Sequence, residues 1–129
     1  MPPRKVLIVD DEPYILQILA FKLRRAGYTA IEAATAEEAE EVLQQTAVHC
    51  VILDVGLGTG ATGFQLAARM QRQPELSRLP IIFLTARSLP GDLLRGEELG
   101  CRAYITKPFS LDDVIAEVER QLDGRHDSA

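Results

Sequence analysis

The chain has 129 residues, 47% of them hydrophobic and 26% charged, with a net charge of −5. That is enough for one globular domain and too little for two, and the acidic balance argues against direct nucleic-acid binding. No apolar run approaches the roughly 20 residues of a membrane span, and Met1-Pro2-Pro3-Arg4-Lys5 carries no signal-peptide pattern, so a cytoplasmic location is expected.

Short apolar runs alternate with amphipathic stretches. A first strand is predicted at Val6-Leu7-Ile8-Val9, followed by Asp10, Asp11 and Glu12. Ile15, Ile18, Leu19 and Leu23 then line one side of a helix that Gly27 stops. The second strand, Thr29 to Ala33, precedes Thr35 and Glu38, a capping box for a helix ending near Gln45. The third strand, Cys50 to Leu53, is followed by Asp54 and a glycine-rich loop from Gly56 to Gly63. Thr62 with Gln65 caps the next helix, which runs through Met70. Ile81 to Leu84 forms a fourth strand leading into Thr85, and Leu89 to Leu99 a helix stopped by Gly100. The fifth strand, Ala103-Tyr104-Ile105, runs into Thr106-Lys107-Pro108. Ser110 and Asp113 start the last helix, where Leu111, Val114, Ile115, Val118 and Leu122 share a face and Gly124 ends it. Residues 1–124 then form one domain, and residues 125–129 a flexible tail or the start of a linker.

Strict β-α alternation with nearly unbroken apolar strands implies a doubly wound parallel sheet of five strands flanked by five helices. Ligands of such sheets bind beyond the carboxyl ends of the strands. The residues expected there are Asp10, Asp11 and Glu12, then Asp54, Thr85 and Lys107. Clustered carboxylates repel one another unless a cation lies among them, and oxygen donors without His or Cys favour Mg²⁺ or a similar hard ion such as Mn²⁺. A carboxylate in such a group can attack phosphorus, with the lysine and the threonine hydroxyl available to the phosphoryl oxygens. Taken singly, Asp11 could cap the first helix, Asp54 could be a turn residue and Lys107 a solvated loop lysine; their convergence on one sheet edge favours phosphoryl transfer. Cys50 in a strand and Cys101 in a short loop read as reduced thiols, and His49 and His126 stand apart from the cluster.

From about Lys5 to Leu122 the sequence resembles the receiver domain of response regulators. The resemblance is carried by Val9-Asp10-Asp11-Glu12, Asp54 at a strand end, Leu84-Thr85-Ala86, and Tyr104-Ile105-Thr106-Lys107-Pro108-Phe109. It implies a flavodoxin-like fold with strand order 2-1-3-4-5 and a role as a signalling switch, not an enzyme acting on other substrates. Asp54 would be the phosphoacceptor, phosphorylated by a histidine kinase or phosphotransfer protein. Asp10, Asp11, Asp54 and the Gly56 carbonyl would hold Mg²⁺, and Lys107 would pair with the phosphoryl group, with a cis peptide to Pro108. Thr85 and Tyr104 would move together and change the face formed by the fourth helix, fifth strand and fifth helix. Gly56 and Arg87 would tune the lifetime of the acyl phosphate.

The sequence departs from the family pattern after Asp54. Gly58 stands where a proline is usual, and Gly63-Phe64 arrives one residue late, which makes a longer, more permissive loop, expected to be mobile and to alter the packing of the third helix. The loop also spells Gly58-x-Gly60-x-x-Gly63, the dinucleotide-binding spacing, although the acidic Asp54 and the position in the third β-α unit count against that use. Arg102-Ala103 replaces the Asp-Asp pair used in one type of receiver dimer, leaving a monomer or another phosphorylation-dependent dimer. Two other readings stay open: a degenerate receiver that binds partners without phosphorylation, and an aspartate-based phosphohydrolase, which would want an acid where Gly56 stands.

Overall fold

The apolar runs become strands because both of their faces are covered. The computed structural model describes residues 2–57, 60–86 and 90–122. In chain order the elements are β1 (Lys5–Val9), α1 (Pro13–Arg25), β2 (Thr29–Ala33), α2 (Ala36–Gln45), β3 (Cys50–Asp54), α3 (Gly63–Gln71), β4 (Ile81–Thr85), α4 (Pro90–Glu98), β5 (Cys101–Thr106) and α5 (Leu111–Leu122). The five strands form one parallel sheet in the order β2-β1-β3-β4-β5.

Alternate residues of the same strands fill two separate cores, as the two-residue period of a strand requires. Leu7, Val9, Val51, Leu53, Ile81 and Phe83 pack with α2 and α3. Val6, Ile8, Cys50, Ile52, Ile82 and Leu84 pack with α1 and α5. β1, β3 and β4 are thereby sealed, whereas β5 at the sheet edge is only half-buried.

Several local expectations need adjustment. Cys101 is not in a loop: it opens β5, because the ladder with β4 slips at Ile81/Ile82 and leaves Arg102 as an extra, exposed residue. That bulge hides the start of the strand from any pattern of period two. In α1 the buried stripe includes Leu16 and Ala20 beside Leu19 and Leu23, while Ile15 and Ile18 lie at its margin. The Thr62–Gln65 capping box is complete. At α2, Thr35 accepts from the Glu38 N–H, but the Glu38 carboxylate reaches back to the N–H of Ala34 instead of Thr35. Gly27 and Gly100 take left-handed φ of 99° and 82° where α1 and α4 end. Leu89, Gly124 and the tail at 125–129 lie outside the described residues.

Candidate functional site

Parallel pairing puts the carboxyl ends of β1, β3, β4 and β5 along one edge, and the polar residues expected there do meet. Asp10 follows β1, Asp54 and Thr85 close β3 and β4, and their exposures are 1%, 5% and 1%. They are the buried polar or charged side chains recorded among the described residues. Lys107, directly after β5, extends its Nζ to 3.0 Å from Asp10 Oδ2 and 3.2 Å from Asp54 Oδ2, with Glu12 Oε1 at 3.9 Å.

The two buried carboxylates are held by the same local device. Asp10 Oδ1 accepts the Glu12 N–H at 2.9 Å, and Asp54 Oδ1 accepts the Gly56 N–H at 3.1 Å. Each aspartate thus folds its own following turn and keeps Oδ2 for the lysine. Lys107 is fixed in turn by its N–H, which donates to the Thr85 carbonyl at 2.8 Å, and its peptide to Pro108 is cis. Asp11 is exposed and does not cap α1, since Glu12 occupies the N-cap position without a side-chain bond. Its carboxylate instead joins Asp10 and Asp54 in a group whose oxygens lie within 4.8 Å of one another.

The electrostatics follow from burial and crowding. Burial and then the charge of Asp10 push the Asp54 carboxyl above the usual range, although Lys107 and the Gly56 N–H pull the other way. For Lys107, burial disfavours the ammonium, but the hydrogen bond to Asp10 and the charges of Asp54 and Asp10 outweigh it and hold the lysine protonated above its ordinary value.

Around this centre, Gly56 is exposed and faces open space: a Cβ there would meet nothing within 4 Å. Tyr104 lies on β5, half-buried, its ring centroid 6.0 Å from that of Phe83. Arg87 and Gly58 fall outside the described residues, so neither the arginine's relation to the site nor the middle of the glycine-rich loop is described. The dinucleotide reading of that loop finds no support in its flanks. The Gly63 N–H is spent on the Val55 carbonyl, the Gln65 N–H on Thr62 Oγ1, and the Thr62 N–H on Gln65 Oε1. A methyl group on Gly63 would collide with the Asp54 carbonyl oxygen and lie 2.8 Å from Val55 Cα, so this glycine serves close packing of α3 on the end of β3. That proximity of Gly63 to Asp54 was not among the site features expected from sequence. A glycine at the first position of a capped helix was its one visible signal.

Residues 6–119 match the family model of the response regulator receiver domain. Among curated proteins, the chain is 36% identical over 122 residues to the phosphate regulon transcriptional regulatory protein PhoB of Pseudomonas aeruginosa, covering 95% of this chain and 53% of that protein. It is 40% identical over 123 residues to the transcriptional regulatory protein YvrH of Bacillus subtilis, covering 95% and 50%. The chain therefore spans about half the length of these relatives. Among solved structures, the chemotaxis response regulator CheY4 of Vibrio cholerae superposes with a TM-score of 0.86 at 30% identity, over 93% of this chain and 99% of that one. The non-phosphorylated HemR receiver domain of Leptospira biflexa gives 0.85 at 32% identity, over 93% and 94%. Among the described residues no helix is long and apolar enough to cross a membrane. With its site, its strand order and these matches in agreement, the chain belongs to the response regulator receiver domains of two-component signal transduction.

Proposed function

We propose that the domain is a phosphoacceptor switch in which Asp54 takes a phosphoryl group from a phosphohistidine on a histidine kinase or phosphotransfer protein. The observation that carries this reading is the triangle of Asp10, Asp54 and Lys107: two buried carboxylates bridged by one ammonium at 3.0 and 3.2 Å. With Asp11 added, three carboxylates face a single lysine charge, and every side-chain donor among the three acids is a hard oxygen. That set suits Mg²⁺ or Mn²⁺. The carboxylates of Asp10, Asp11 and Asp54 and the Gly56 carbonyl would hold the ion. When bound, it neutralises crowded negative charge on the acids and on the phosphoryl oxygens.

The chain's own groups do the rest. A carboxylate oxygen of Asp54 forms the new bond to phosphorus as the phosphorus–nitrogen bond breaks, and the electron pair returns to the departing imidazole. Lys107, already within reach of the acceptor, offers its ammonium to the transferring oxygens. Thr85, buried at the neighbouring strand end, offers its hydroxyl to the same group. Its pairing with Thr106 and its backbone bond to Lys107 tie any displacement to β5, and so to Tyr104. The surface changed would be the one formed by α4, β5 and α5, where Tyr104, Ile105, Phe109, Asp113, Glu117 and Arg120 line a groove. At Gly56, where a phosphohydrolase would want a second acid, no side chain is available.

Intact mass after treatment with phosphoramidate and Mg²⁺ tests the proposal. The wild type should gain one labile phosphoryl group, and Asp54→Asn should gain none. Equal labelling of both would refute Asp54 as acceptor, and no labelling of either would favour a receiver that works without phosphorylation.

A further inference from the structure

The residue after Gly63 belongs to a chain of aromatic rings that ends on Tyr104. Phe64 is 9% exposed, and its ring stands edge-on to Phe83, with centroids 5.2 Å apart and planes at 78°. Phe83 leans in turn on Tyr104 at 6.0 Å and 55°. From α4, the Arg95 guanidinium lies 5.8 Å over the Phe64 ring. Also on α4, Gly96 makes room for the same cluster: a Cβ there would lie 3.1 Å from Tyr104 Cδ2, 3.2 Å from Cys101 Sγ and 3.4 Å from Phe83 Cδ2. Gly96 has no left-handed φ to justify a glycine inside a helix, so the space it leaves for the rings is what the residue supplies.

At the other end, Gly63 touches the Asp54 carbonyl without slack and its N–H is bonded to Val55. A close-packed interior does not absorb a displacement at such a contact; it passes it on. We infer that Phe64 is a second coupling element between Asp54 and Tyr104, parallel to Thr85. A shift at the end of β3 travels through Gly63 to Phe64, and from its ring through Phe83 to Tyr104. The inference rests on Asp54 being the acceptor.

The test uses 3-fluorotyrosine labelling, which gives three ¹⁹F resonances for the three tyrosines, with Tyr104 assigned from Tyr104→Phe. Phosphoramidate and Mg²⁺ are added, and intact mass is taken from the same sample. Phe64→Leu keeps an apolar side chain but removes the ring edge. It should leave the phosphoryl occupancy unchanged while shifting the phosphorylation-induced Tyr104 equilibrium at least roughly twofold. In Phe64→Leu/Thr85→Ala the response should be smaller than in either single variant. If circular dichroism shows that Phe64→Leu does not fold, Gly96→Ala, which crowds the Tyr104 ring from the α4 side, carries the same expectation. A full Tyr104 response at equal occupancy would overturn the coupling while leaving Asp54 as acceptor. A wild type that gains no mass would remove the acceptor reading itself, and the coupling with it.

Discussion

The two ends of the same five strands are built for different purposes. At the carboxyl end, Asp10, Asp54 and Thr85 are buried, and two like charges share one lysine. At the amino end the polar contacts are modest and exposed: His49 and Lys5 exchange hydrogen bonds of 2.9 and 2.8 Å across the starts of β1 and β3. Between them, the middles of β1, β3 and β4 are apolar and fully buried. Stability resides in that middle, the amino end trims it, and the carboxyl end holds a charge arrangement that folding alone would not select.

Substitutions along one strand should separate these layers. Ile52→Ala, in the fully buried middle of β3, should cost about 2–5 kcal/mol in urea unfolding, since it opens a cavity between the sheet and the helices α1 and α5. A loss below about 1 kcal/mol would mean that this core collapses around the gap. Lys107→Ala should slow phosphorylation by phosphoramidate on the order of 100-fold, the effect of removing one aligned donor from a developing anion; a rate within twofold of wild type would reassign the lysine to structure.

Asp54 should reveal the tension at the carboxyl end through pH. Its carboxyl is raised in the folded state, so folding binds its proton more tightly than the unfolded chain does. Stability is therefore lost as pH rises from the ordinary carboxylate range through the raised value, and the cost persists above it. Without Mg²⁺ at neutral pH, Asp54→Asn should raise the Tm by roughly 2–5 °C, and the gain should vanish below about pH 4, where the aspartate is protonated in both states. Saturating Mg²⁺ should shrink it from the other side. A variant less stable than wild type at neutral pH would contradict the crowding. The smallest effect belongs to the amino end: His49→Ala should cost about 0.5–1.5 kcal/mol by losing an exposed acceptor, with phosphorylation unchanged.

Much of this contrast was legible in the residues. The runs at Val6, Cys50 and Ile81 announce sealed strands, and the polar residue ending each one marks the edge where chemistry gathers. What could not be read were distances and departures from period. Nothing in the string says that Lys107 reaches both Asp10 and Asp54, since 97 and 53 positions separate it from them. The slip at Arg102 hid the start of β5, because a bulge breaks the alternation on which strand recognition depends. The glycine spacing after Asp54 reads as a permissive loop with a disfavoured dinucleotide-like pattern, and it gives no sign of tight packing. The contact of Gly63 with the Asp54 carbonyl shows that packing.

The measurement that bears most directly on the central claim is chemical location of the acyl phosphate. Phosphorylated protein reduced with borohydride converts a phosphoaspartate to homoserine, which peptide mass spectrometry places in the sequence. Homoserine at position 54 is the predicted result, dependent on Mg²⁺; homoserine at position 10 or 11, with Asp54 intact, would contradict the assignment of the site.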